Sequence, residues 1–350
     1  MGDIPVTLLS WIKAEVDQTL KAVRGSIASF LAAPEDVAVL RDCPAQLHQV
    51  SGALRIVGLD GATRFCEALE GAFGKLNGGR STRTAVGVID RAVIALSEFV
   101  NDLARGRGNV PLRLFPAYRE LAALEGKSDA SERDLFFPDL EVQAPAHPVP
   151  KSLAKGELLP FLLTQRTRFQ RGLLAWLRNQ PSGLKDMRQA LDAVHTVAAQ
   201  LPEPRGLWWV ASGLIDGLSR APDVDWLGNA KGLCNKIDFQ IRDLATGSKK
   251  ESESLMRDVL YAIGKSKAVT PRISSIRQLY GLNALFPESE LAALMTFDLD
   301  WLQPALKDAR VRLEVRKSAW VQYVSGGPRS ASRFREVVAS STSRSHVLGN

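Results

Sequence analysis

The sequence predicts an all-α chain. Apolar residues recur at i, i+3 and i+4 through most of its length, the period of a helix with one buried face. Strand signals are nearly absent, since no alternating Val/Ile/Thr segments stand between hairpin turns. Glycine and proline groups punctuate the periodic segments at intervals suited to helices joined by short turns.

The first periodic run extends from Ile4 to Leu31, through Leu8, Trp11, Ile12, Val16, Leu20, Val23 and Ile27. Ala33-Pro34 ends it, because the residue before a proline is pushed out of the α region. A second helical stretch covers Glu35 to Leu76. Its weak points are Pro44, tolerable in a first turn, and the pair Gly58/Gly61. Asn77-Gly78-Gly79 is a stop. A third helix follows from Ser81 or Thr82 to Leu103, with Ser81 a candidate N-cap, and a short fourth from Leu114 to Leu124. Four amphipathic helices with short turns read as an antiparallel bundle over residues 1–125. Residues 126–150 hold Pro138, Pro145, Pro148 and Pro150 and read as a linker, extended in its proline-rich half. Helical periodicity returns over 151–325, with helices expected at Leu158–Arg178, Leu184–Leu201, Gly206–Ser219, Trp226–Thr246, Glu251–Ser266, Ile273–Tyr280 and Pro287–Tyr323. Residues 326–350 form a Ser/Arg-rich tail expected to be disordered.

Composition narrows the function classes. The 350 residues carry a net charge of +7, a modest excess that permits acidic partners without requiring nucleic acid, which is not expected as a partner. Cys43, Cys66 and Cys234 lie far apart, arguing against a disulfide framework or a zinc site. The N-terminus lacks a signal-peptide pattern, and no apolar run is long enough to span a membrane, so a cytoplasmic chain is expected. Neither a GxSxG elbow nor a phosphate-binding loop occurs, and no cofactor or metal is expected. Glu67 with Glu70, and Asp298 with Asp300, read as solvated charges. Trp208 and Trp209 read as core residues and His195 as structural. His147 and His346 read as histidines without partners.

One segment points to chemistry. Within residues 47–58, Leu47, Val50, Leu54 and Val57 form a buried helical stripe, with His48 at its edge. Ser51, Gly52 and Arg55 stand three, four and seven positions on. Two small neighbours let the imidazole stand clear of the helix, and a nearby cation could steady a phosphoryl group. A phosphate-carrying histidine has to be exposed, uncrowded and near-neutral in pKa.

His48, Gly52 and Gly58 match the spacing of histidine phosphotransfer (Hpt) domains, and the segment resembles that family. Leu47-His48-Gln49-Val50, Gly52 to Val57, Gly61-Ala62 and Glu67-Ala68-Leu69-Glu70 resemble, more narrowly, the first domain of the large CheA-like hybrid chemosensory kinases of type IV pilus systems. Gly206 to Ala211, Leu260 to Ile263, Ile276 to Tyr280 and Ala319 to Tyr323 resemble the helical region that follows it, a degenerate Hpt-like domain. The resemblance implies a phosphorelay protein of pilus control. His48 would take a phosphoryl group, supported by Gly52, Arg55, Ser51 and Gly58, and pass it to a response-regulator receiver, with a CheA-like kinase core as its other partner. The chain would correspond to the N-terminal part of such a kinase, since no ATP-binding core, receiver or adaptor domain is found in it. Ser51 stands where the family has a lysine. That departure supports an alternative: a helical interaction scaffold that keeps the fold without the phosphotransfer.

Overall fold

A computed structural model describes residues 6–76, 80–148, 151–154, 156–198, 206–220, 224–248 and 251–286, all within one compact unit. Every regular element among them is helical, which establishes the all-α class. The expected helix at Pro287–Tyr323 and the tail at 326–350 lie outside the described residues.

The first part is a bundle of α1 (Val6–Ala32), α2 (Cys43–Ile56), α3 (Asp60–Phe73) and α4 (Arg80–Ala104), with the short α5 (Phe115–Leu124) against α3 and α4. α1 buries Val16, Leu20, Val23 and Ile27 of the expected stripe together with Leu9 and Phe30, whereas Trp11 is exposed and Leu31 half-buried, because the buried face passes through Phe30 instead. The single stretch expected over Glu35–Leu76 is three elements: a 3-10 turn at Val37–Leu40, then α2 and α3. Gly58 makes the break. Its φ of +74° is left-handed, and the Gly58 and Leu59 amides close back onto the Arg55 and Leu54 carbonyls, ending α2. α4 begins at Arg80, so Ser81 lies inside the helix rather than capping it.

The second part comprises α6 (Leu158–Leu177), α7 (Ser182–Ala198), α8 (Leu207–Leu218), α9 (Val224–Ala245), α10 (Glu253–Lys265), α11 (Pro271–Leu279) and α12 (Leu282–Leu285). α8 is the central element: eleven of its twelve residues are buried, among them Trp208 and Trp209. Its N-terminus follows Gly206, whose φ is +85°, and the buried carboxylate of Glu251 accepts the Leu207 amide at 2.9 Å. A negative charge there favours the helix dipole as well as satisfying an orphan donor. The one residue of α8 that is not buried, Asp216, faces Arg188 of α7 (3.2 Å) and Arg272 of α11 (3.6 Å). Both arginines also meet Asp192 of α7, and Arg272 holds its carboxyl below the usual range despite burial.

α6 and α7 pack backbone to backbone. A Cβ built on Gly183 would stand 2.2 Å from the Gly172 carbonyl oxygen, and one on Gly172 would stand 2.6 Å from that of Gly183. Only hydrogen fits between the two helices at this point.

Residues 131–137, expected inside a linker, run along the seam between the two parts. Ser131 and Asp134 form a capping box around a 3-10 turn at Glu132–Leu135. Leu135 and Phe136 are buried, and Phe136 stacks with Phe286 (5.6 Å) and meets Tyr261 edge-on (5.4 Å). No helix among the described residues is long and apolar enough to cross a membrane.

Candidate functional site

α2 starts at Cys43 with Pro44 in its first turn, where a missing N–H costs nothing. Its inward stripe is Cys43, Leu47, Val50 and Leu54, all buried, with Val57 half-buried at the C-cap. The thiol of Cys66 in α3 donates to the Leu47 carbonyl at 3.2 Å, which fixes α3 beside the turn that carries His48. Glu70 lies four residues beyond Cys66, one helical turn further along that face.

The consequence is a pairing across the hairpin. The His48 side chain is 76% exposed and its Nδ1 lies 3.3 Å from Glu70 Oε2. In the tautomer that donates Nδ1–H to the carboxylate, Nε2 is left bare as the nucleophilic nitrogen, the arrangement by which an acidic neighbour orients an imidazole. Gly52, one turn along, is half-exposed with open space around its Cα, so nothing crowds an approaching partner there.

The other named residues stand differently. Ser51 is 2% exposed and faces the core, because three residues on from an edge position the helix has turned inward. It does not share the solvent face of His48. Arg55 is exposed, but its guanidinium donates to Glu67 at 2.7 Å, and Arg64 takes the other Glu67 oxygen at 3.3 Å. Gly58 shapes the hairpin and does not reach the imidazole face. A phosphoryl group on His48 would add about 1.5 to 2 negative charges beside the Glu70 carboxylate, with the nearest expected cation already paired. The arrangement presents an exposed imidazole beside a carboxylate, and Arg55, the cation expected beside it, is turned to Glu67.

Glu70, read from the sequence as a solvated charge, is thus the direct partner of His48. The signal was the segment Glu67-Ala68-Leu69-Glu70, whose two carboxylates share one face of α3. His195 is buried as expected, and burial, reinforced by His147 and Arg272, pulls it down to about 4. His147 does have a partner: its ring meets that of His195 edge-on at 5.4 Å.

Comparison with known proteins finds similarity over most of the chain, and a family model matches within the second part. Residues 154–293 match a family model described as "FimL scaffold protein second domain". The chain is 26% identical over 286 residues to "Scaffold protein FimL" of Pseudomonas aeruginosa, covering 80% of this chain and 50% of that protein. It therefore spans about half the length of the curated relative it matches. No solved structure matches. The chain is similar to a scaffold protein over most of its length.

Proposed function

We propose that this chain is an interaction scaffold of a chemosensory system controlling type IV pili, built on an Hpt-like bundle. The observation that carries the reading is the surface around His48: Glu70 beside the imidazole, Arg55 paired to Glu67, and Ser51 buried where a lysine would stand. The similarity to a protein named as a scaffold supports it. On this reading α2 and α3 offer a docking face to a response-regulator receiver, and the partner is held rather than charged.

A second reading, phosphotransfer through His48, is favoured by the exposed imidazole and its carboxylate partner. One experiment separates the two. The full chain and His48→Gln are mixed with phosphorylated receivers of the same genome, and both complex formation and acid-labile label are followed. Binding retained in the variant, without label on either protein, is the scaffold outcome. Label that appears on the parent and vanishes in His48→Gln would overturn it.

A further inference from the structure

The seam between the two parts holds an open cleft of about 390 Å³. Its walls come from three places: Arg64 of α3, the 3-10 segment with Arg133, and the first turns of α10 with Ser254 and Arg257. Two carboxylates also line it, but each has another partner: Asp134 accepts the Ser131 amide at 2.9 Å, and Asp258 pairs with Lys236 at 2.7 Å. Arg257 differs. It is half-buried, its guanidinium lies 4.8 Å over the Phe137 ring, and no carboxylate among the described residues lies within ion-pair distance of it. A partly desolvated guanidinium without a counter-charge is costly, and its fork geometry suits phosphate or carboxylate oxygens. Arg64 and Arg133 converge on the same space, while α10 turns its N-terminal end toward it, a second source of positive potential.

We infer that this cleft binds a small phosphate-bearing anion, of mononucleotide size or less, with Arg257 as its principal contact. The volume falls in the range of small-ligand sites. Three arginines against two aspartates leave the lining with a net charge of +1, which favours an anion. A ligand held here touches α3, the 131–137 segment and α10 together, so occupancy would tie the bundle to the second set of helices and raise the stability of the whole unit.

The test is calorimetric titration of the full chain at low salt with adenosine 5′-monophosphate, pyrophosphate and adenosine, alongside thermal melts. Saturable one-to-one binding of the monophosphate is expected, with an affinity lowered about tenfold or more in Arg257→Gln and unchanged in the surface control Lys21→Gln. Arg257→Lys, which keeps the charge but loses the fork, should fall between. Pyrophosphate binding as tightly as the nucleotide supports the site and assigns recognition to the anion alone. Adenosine binding as well as its monophosphate would overturn the inference. So would the absence of saturable binding to the folded chain, or full affinity in an Arg257→Gln variant that melts like the parent.

Discussion

Substituting Gly183 by alanine tests the α6–α7 crossing directly. The new Cβ would lie 2.2 Å from the Gly172 carbonyl oxygen, 2.7 Å from the Trp176 amide nitrogen and 3.0 Å from the Ala175 Cβ. Two of these three are backbone atoms inside a helix, so no side chain can rotate away. Restoring van der Waals contact requires α6 and α7 to part by roughly 1 Å along this stretch. That loosens Met187, whose side chain and backbone lie against Gly172 at the same crossing. Overpacking of this kind costs about 1–3 kcal/mol, and a backbone clash belongs at the upper end. For a unit of this size the melting temperature should fall by roughly 5–8 °C. Gly52→Ala is the matched contrast. That site is also helical, nothing lies within 4 Å of its built Cβ, and alanine there should stabilise by about 0.5–1 kcal/mol. Circular dichroism melts of both variants decide the matter. A Gly183→Ala protein that melts within about 1 °C of the parent, or one no less stable than Gly52→Ala, would refute the packing argument.

Two further outcomes follow from burial. His195 is held at about 4 in the fold against 6.5 as a free side chain. The unfolded chain therefore binds the extra proton first, and stability should decline as pH falls from about 6.5 toward 4, by up to about 3 kcal/mol. Urea titrations across that window should show the slope flattened in His195→Gln, and an unchanged slope would assign the effect elsewhere. Cys43, Cys66 and Cys234 are all buried and their thiols are raised, Cys66 and Cys234 to about 12. A thiolate-specific reagent should leave the native chain unlabelled and modify all three once urea unfolds it, whereas rapid labelling of the folded chain would contradict the burial.

The helical class and most of the elements were legible because their signal is local. The stripe of α1, the first turn of α2 at Pro44 and the apolar run of α8 each declare themselves within a few turns of sequence. The break at Gly58 was only half legible: glycine permits a left-handed turn, but the apolar phase runs on through Leu54 and Leu59, and only packing decides that the chain reverses. The capping box of Ser131 and Asp134 is present as a spacing, but it stands in a proline-rich stretch whose composition reads as an extended linker. The candidate site divides in the same way. Exposure of His48 follows from its place at the edge of a stripe. Its contact with Glu70, and the loss of Arg55 to Glu67, depend on how α2 lies against α3, which no spacing within either helix encodes.

The 131–137 segment has a consequence for how this chain can be altered or inherited. Phe136 completes an aromatic cluster with Tyr261 and Phe286, while Glu132 accepts the Tyr261 hydroxyl at 2.8 Å and meets Lys265 at 3.0 Å. Cutting the chain just before Ser131 would leave the N-terminal helices without the residues that cover α3, and cutting after Phe137 would strip the C-terminal helices of their aromatic cover. Each half is therefore expected to melt at a lower temperature alone than within the intact chain. Exchanging one half for a homologue's is expected to keep that stability only where these seven residues meet matching partners on both sides.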